Sequence, residues 1–548
     1  NRTQFSINLL LNNKKKSSYL YALKLMNYSE SYQGIKHLFQ SNTLVNKTYF
    51  NTSLSVLNNT ENFQKNQFIR AKGKIEHSFN SAWIGGFVHG EKNRIANTNT
   101  QQLSNLSHQF KEFENYIGIG DSTKVFAKIG VNFRQNDSIR NNTFTKINTR
   151  KTFYINSKLI QNSNTILSVF ANYKITNNTF LNNEKALNSR VIFNHKMFQN
   201  FIHSSTVYET SSGNIPRQEY VYIKTEPGQG YYTWIDYNDN GIKEFNEFEI
   251  AIYKDQATYL RIALPNLNFI NSQRAKLAQV FTINPSQWSN KKGIKKFISH
   301  FYNQTNFTID NEQERTTNSF NFNPFDVDKT KLLGLHLTVR NSLYLNRNLK
   351  HYSFIYSYAS SKNRQLYSIG SQEFNTKLHQ LEMVHKLNNY WFLNLTSNLS
   401  EDYVNTENFF NQNYQIDAFE FTPKFTYEYS KNHQFSFFYY FKSKENNIGN
   451  FETLQQQKIG TSYYYKSKKN TLVRAEFNLF LNDFTGKNNS PVAYQMLEGL
   501  QTGKNYTWSL IYQQKINSFI NINLNYLARK SENSTVIHTG SVQLRADF

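Results

Sequence analysis

Apolar and polar residues alternate with a period of two along most of this chain, and that alternation sets what it can fold into. Val125, Ala127, Ile129, Val131 and Phe133 alternate with Phe126, Lys128, Gly130, Asn132 and Arg134. Leu167, Val169, Ala171, Tyr173 and Ile175 alternate with Ser168, Phe170, Asn172 and Lys174. Val473, Ala475, Phe477, Leu479 and Leu481 do the same against Arg474, Glu476, Asn478 and Asn482, as do Ile520, Ile522, Leu524 and Tyr526 against Asn521, Asn523 and Asn525. Successive side chains of a strand point to opposite faces, so each segment carries one apolar and one mostly polar face. No stretch keeps a helical period, and no solenoid repeat is present. The chain is predicted to be all-β, with roughly 24 strands counted to within about two.

Composition sharpens this. Aromatics make up 16% of the 548 residues, with Phe 46 and Tyr 36, which excludes a disordered chain. Mean hydropathy is nevertheless −0.66, so the polar faces, rich in Asn and Ser, are very polar. Links between strands alternate in length. Short ones include Gly120-Asp121-Ser122, Gln161 to Asn164, Lys431-Asn432-His433 and Asn517-Ser518; longer ones include Asn93 to Ser104, Asp402 to Gln412, Asn446 to Phe451 and Asp483 to Ala493. A transmembrane barrel strand needs only about 9–11 residues and hides its apolar face in alternation. Tight turns at one end and longer loops at the other fit such a barrel. A soluble β-sandwich would alternate too, but with shorter strands and more turn residues than Gly 21 and Pro 7 supply. The sequence starts at Asn1, inside a strand pattern from Thr3 to Leu11, and is expected to be a mature or N-terminally trimmed chain.

The last residues, Thr539-Gly540-Ser541-Val542-Gln543-Leu544-Arg545-Ala546-Asp547-Phe548, put Val542, Leu544, Ala546 and Phe548 on one face. An alternating strand ending in Phe resembles the assembly signal of large Gram-negative outer-membrane β-barrels. That resemblance implies a single large antiparallel transmembrane barrel over residues 1–548, with short periplasmic turns and longer outside loops. It implies recognition by the barrel-assembly machinery, a setting among outer-membrane lipids and lipopolysaccharide, and porin-like or secretion-type transport as the work. Tyr506, Trp508, Leu510 and Tyr512 share a face, and Tyr390, Trp391, Tyr439 and Tyr440 are candidates for interfacial aromatic girdles.

One segment, Gly213 to Gln273, breaks the pattern and is too long for a plain loop. Within it, Asp236-Tyr237-Asn238-Asp239-Asn240-Gly241-Ile242-Lys243-Glu244-Phe245-Asn246-Glu247 fits D-x-[DN]-x-[DN]-G-x5-E in full and resembles the EF-hand calcium loop. A hard cation needs six to eight converging oxygens. Asp236, Asn238 and Asn240 offer side-chain oxygens, Ile242 its carbonyl, Glu244 a direct or water-mediated ligand and Glu247 a bidentate carboxylate; Gly241 permits the sharp turn. The pattern departs from the family at Lys243, where an apolar residue is usual, and in its flanks, Tyr231 to Ile235 and Phe248 to Tyr253, which read as extended chain. The expectation is therefore a weak Ca2+ site, Kd on the order of 10⁻⁴–10⁻³ M, of the extracellular kind. Counting alternate turns back from a periplasmic C-terminus puts the insertion outside. There Tyr231, Tyr232, Trp234, Phe245 and Phe248 are expected to pack it into a small cap or plug.

Other chemistries are poorly served. With Cys 0, disulfides, cysteine zinc sites and thiol nucleophiles are impossible. No H-E-x-x-H or G-x-S-x-G occurs. Gly118 to Ser122 lacks the Lys and helix of a phosphate loop, and Glu244, Glu247 and Glu249 are better explained by the calcium pattern than as acid/base groups. No enzyme is expected. Lys+Arg 62 against Asp+Glu 38 gives 62 − 38 = +24, but the basic residues are dispersed. The tightest cluster, Lys14-Lys15-Lys16, reads as a turn, so anionic headgroups are the expected partners and nucleic acid is not. The sequence thus predicts an outer-membrane channel or translocation conduit for a solute or polypeptide. The alternatives are a surface assembly or interaction protein anchored by a plugged barrel, which would meet other outer-membrane or periplasmic proteins, and a soluble calcium-dependent adhesin.

Overall fold

The structure is a computed structural model. It describes residues 2–13, 17–28, 32–121, 123–180, 182–264, 268–317, 319–347, 351–467, 471–517, 519–532 and 534–546. The Lys14-Lys15-Lys16 turn, Ser122, Ser518 and the terminal Phe548 lie outside those residues.

The chain is all-β and antiparallel. A 25-stranded sheet runs as a meander from Arg2–Asn13 to Ile537–Ala546, and a separate 4-stranded sheet interrupts it between Ile202–Pro216 and Phe269–Ile283. The register follows the alternation read from sequence: Ile117 lies opposite Ile129, Ile129 opposite Ile155, and Leu399 opposite Phe419. Directly opposed residues share a face, so the apolar residues of neighbouring strands merge into one continuous surface.

That surface is exposed. Phe419, Phe421, Phe425, Phe437, Ile459, Phe477 and Leu481 are open to the outside, whereas Lys442, Lys444, Gln456, Asn478, Asn482 and Arg529 on the opposite face are buried. A water-soluble sheet buries its apolar face. This sheet is inverted, as expected of a sheet that spans a membrane, with lipid outside and a polar interior. The inner face carries charge in paired ladders. Tyr116 donates to Glu76 at 2.6 Å, Lys128 lies 3.6 Å from the Tyr116 ring centroid and 3.4 Å from Glu114, and Arg134 meets Glu112 at 3.4 Å.

The two ends differ. One end is closed by links such as 46–47, 79–81, 162–164, 198–201, 387–390 and 431–432. The other carries 98–107, 217–268, 315–331, 407–413, 447–452 and 486–502. The alternation is not strict: links 62–63, 141–142 and 368–369 at the long-link end are two-residue turns, and link 284–300 at the short-link end is long and holds the helix Ile294–Ile298. Trp391 and Tyr390 sit at the short-link end on the outer face, their rings 5.0 and 6.2 Å from that of Tyr427. Of the four girdle candidates, Tyr440 is placed elsewhere: it faces inward beside Lys442 and Lys458, at 5.8 and 5.0 Å. Neighbours in sequence take opposite faces, so Tyr439 and Tyr440 cannot both belong to one belt. Towards the long-link end the outer face turns polar, with Lys377, Glu401, Asp417 and Glu445 lining a shallow cleft. Strands of 14–17 residues here outrun the 9–11 needed to span, so they project beyond the apolar band on that side.

Two short helices were not legible from periodicity. Pro491–Leu497 makes barely two turns, started by Ser490, which accepts from Ala493 N, and Pro491 at its first position. Its Val492, Ala493, Met496 and Leu497 pack against Ile416 and Leu454 on the inner wall. At seven residues the 3.6 period has no room to repeat.

Candidate functional site

In the structure the insertion spans 217–268, because Gly213 to Pro216 and Phe269 to Gln273 continue the two flanking strands in register. Its four strands are Glu219–Lys224, Tyr232–Trp234, Phe248–Ile250 and Tyr259–Leu264, the outer pair joined antiparallel from Glu219 opposite Leu264 to Lys224 opposite Tyr259. Aromatic rings make its core. Tyr222 stacks on Phe248 at 4.0 Å and 8°, Phe248 meets Tyr259 edge-on at 5.0 Å, and Arg261 lies over Tyr220 and Tyr232 at 4.9 and 5.6 Å. Of the five rings expected to pack the insertion, Phe248 is buried, Tyr232 and Trp234 are half-buried, and Tyr231 and Phe245 are exposed.

The loop 236–247 turns back between the two short strands. Asp236 receives Asn240 N at 3.1 Å on Oδ1 and Gly241 N at 2.7 Å on Oδ2. Asn238 Oδ1 accepts from Asn240 N, and Asn240 Oδ1 from Ile242 N. The amide of Asn238 donates to Glu244 at 3.1 Å. Gly241 takes φ +70°, and a Cβ at that position would meet nothing within 4 Å, so its need is conformational and not steric. Lys243, the departure from the EF-hand pattern, has a structural reason: its ammonium covers the rings of Trp234 and Tyr259 at 5.4 and 5.6 Å. Glu247 is only 1% exposed. Its Oε2 takes Trp234 Nε1 at 2.8 Å and Glu244 N at 3.3 Å, and its Oε1 has no hydrogen-bond partner. Among the described residues no three His, Asp or Glu side chains by themselves converge as a metal site; the oxygens gathered here are a mixed set of carboxylate, amide and carbonyl.

The insertion docks on the inner wall at the long-link end. Tyr220 packs on Tyr367 at 5.1 Å. Gln412 donates to Asn246 O at 3.0 Å, and Asn489 to Asp236 O at 3.2 Å. The Tyr494 hydroxyl donates to Ile250 O and accepts from Ile252 N, both at 3.2 Å. Asp255 takes a bidentate fork from Arg529 at 2.5 and 2.6 Å, and Arg529 also lies 4.2 Å over the Tyr253 ring. Burial alone would raise the Asp255 carboxyl, but Arg529 outweighs it and holds Asp255 below the ordinary carboxylate range. Glu249 has no such cation. Burial pushes it up to about 7, even though Gln495 and Tyr237 donate to it.

These contacts require a curved sheet. The insertion is rooted between the twelfth and thirteenth strands, and Arg529 is on the twenty-fourth, eleven spacings away from the thirteenth. On a flat sheet that is roughly 53 Å at about 4.8 Å per spacing. A folded insertion bridges it only if the wall curves around it. Between insertion and wall lies a cavity of about 400 Å³ lined by Tyr222, Arg261, Glu249, Gln372, Gln412 and Gln495, among others.

Sequence reasoning missed Asp255, Arg529, Gln412, Asn489, Tyr494 and Gln495 as a group. They lie up to 274 positions apart; the pattern break at Gly213 to Gln273 and the long links Asp402 to Gln412 and Asp483 to Ala493 took in Asp255, Gln412 and Asn489 separately, and nothing in the sequence joined them or pointed to Arg529, Tyr494 and Gln495. Val542 and Leu544 lie opposite Leu524 and Ile522, and Ala546 opposite Ile520, all on the outer apolar face.

No protein-family model matches this chain, and no curated protein matches it. Solved structures do. The FrpB iron transporter from Neisseria meningitidis, in its F5-1 apoprotein form, matches at 8% identity and TM-score 0.31, over 99% of this chain and 79% of that one. BauA, the ferric preacinetobactin receptor from Acinetobacter baumannii, matches at 7% and 0.32, over 95% and 84%. The outer membrane transporter YddB from Escherichia coli matches at 8% and 0.28, over 94% and 75%. Likeness at that level adds nothing to what the strand pairing already gives, and the functional reading rests on this chain's own faces and contacts. Those define a large antiparallel β-sheet of the membrane-spanning kind, with a folded domain held against its inner wall.

Proposed function

We propose that the chain is an outer-membrane β-barrel of a Gram-negative bacterium that serves as a conduit for a solute or polypeptide, narrowed at its outer end by the insertion 217–268. The observation that carries this is the inversion of the sheet, with apolar rings outside and buried Lys, Arg, Asn and Gln inside. A membrane-spanning sheet with a polar interior has a use for water there. The insertion supports the second half of the reading, because it docks on the polar face and not on the apolar one. A wall of 25 strands is wide enough for a lumen that a domain of some 50 residues can only partly fill.

The test is conductance of the detergent-folded chain in a planar bilayer, beside a variant whose residues 217–268 are replaced by a short turn. The reading expects small or no current from the intact chain and large steady steps from the deletion. A folded deletion variant that stays silent would sink it.

A second reading has its own support. Phe410, Phe451, Ile242 and Tyr231 are strongly exposed on the long-link end, where no lipid would cover them. Apolar tips in such a place suit a surface that binds another protein, and the silent deletion variant would favour it.

A further inference from the structure

We propose that loop 236–247 is a divalent-cation site of the calcium class, and that the bound ion keeps the insertion docked on the inner wall. The inference rests on reading the insertion as an interior element. Three observations carry it.

The first is local charge. In a chain of net +24, these twelve residues hold Asp236, Asp239, Glu244 and Glu247 against Lys243 alone, and the one lysine is engaged with Trp234 and Tyr259. No ion pair reaches any of the four carboxylates among the described residues. The second is Glu247. A carboxylate 1% exposed, with one oxygen holding two donors and the other holding none, is costly to bury. Its bonded oxygen ties the side chain to the backbone of Glu244 within the same loop, and the orphaned oxygen is on that same carboxylate. A cation is the partner that oxygen lacks. The third is shape. Asp236, Asn238 and Asn240 are already held by loop amides, and Gly241 supplies the left-handed turn, so these three side chains are ordered before an ion arrives, and Glu244, Glu247 and the Ile242 carbonyl close on it with them when it binds. A mixed, partly neutral oxygen set of that number suits Ca2+ better than the smaller Mg2+, which demands a tighter octahedron.

The same backbone does the docking. Asp236 O accepts from Asn489 and Asn246 O from Gln412, so an ion that orders the loop also orders the two carbonyls that fasten it to the wall.

Trp234 donates to Glu247 at 2.8 Å and is therefore placed to sensitise terbium(III). The experiment uses the full, detergent-folded chain and reads terbium emission excited through tryptophan, its displacement by Ca2+, and protease cleavage within 217–268 in Ca2+ and in chelator. The expected result is saturable emission, displaced by Ca2+ at about 10⁻⁴–10⁻³ M and far less readily by Mg2+. Glu247→Gln should weaken binding tenfold or more, Asn238→Asp should strengthen it, and cleavage should slow several-fold in Ca2+ for the parent but not for Glu247→Gln. Absence of saturable emission, or affinities unmoved by both variants, would overturn the site. Binding without any change in cleavage would overturn the docking role. Should Glu247→Gln fail to fold, Asn238→Asp still decides. A silent insertion-deletion variant alongside intact calcium binding removes the conduit and leaves the site standing.

Discussion

At the scale of single residues, the inner wall works by rings laid over glycines and by cations held between carboxylates. Gly130 has the Tyr154 ring across it, and an added Cβ would lie 2.5 Å from the ring. Gly130→Ala must push that ring off its place, so it is expected to destabilise the folded chain by about 1–3 kcal/mol, read as a lower urea midpoint for the compact form on cold gels. Glu498 is the other telling position. It ends the Pro491–Leu497 helix in a left-handed conformation, φ 54°, where glycine would sit more easily. It is kept there as the counter-charge of Lys442 and Lys444, at 2.5 and 3.0 Å. Burial favours its neutral acid, but the two ammoniums prevail and hold its carboxyl at about 2. An unfolded Glu titrates near 4.5, so the folded state is the weaker proton binder. Its contribution is present above about 4.5 and is lost as pH falls toward 2. Pepsin cleavage of link 486–502 is expected to accelerate across that window, and Glu498→Gln should show the faster cleavage at its upper edge already.

At the scale of elements, the insertion and the 486–502 link form one inner layer. The helix Pro491–Leu497 presents Tyr494 and Gln495 to the insertion and its apolar side to Ile416 and Leu454. The Asp255–Arg529 fork then ties the insertion to a strand near the far edge of the sheet. Asp255→Asn keeps the shape but leaves the Arg529 guanidinium, itself buried, without its counter-charge. The loss is expected to be about 1–3 kcal/mol of docking, seen as faster proteolysis within 217–268 and as a rise in bilayer current, with the strand content of the sheet unchanged by circular dichroism.

At the scale of the molecule, the alternating links predict a sidedness that the absence of cysteine makes easy to test. Ile242→Cys or Phe451→Cys, each at a position exposed at the long-link end, should react with an impermeant maleimide on intact cells. Asn432→Cys, in a two-residue turn at the other end, should react only after the outer membrane is breached. The reverse pattern would turn the sheet over and place the insertion in the periplasm.

The sequence determined the strands, their faces and the sorting of loops to two ends. Each of these follows from a local rule: period two fixes which side a residue faces, and successive strands must reverse direction. It also marked the oxygen-bearing loop, whose donors lie within twelve consecutive positions. Tertiary structure alone decided that Asp255 meets Arg529, that Glu247 is buried with one oxygen free, and that the insertion lies against the polar wall. The physical reason is curvature. Residues hundreds of positions apart meet only because a twisted sheet of many strands bends round on itself, and no local pattern in the chain encodes which strand comes to face which.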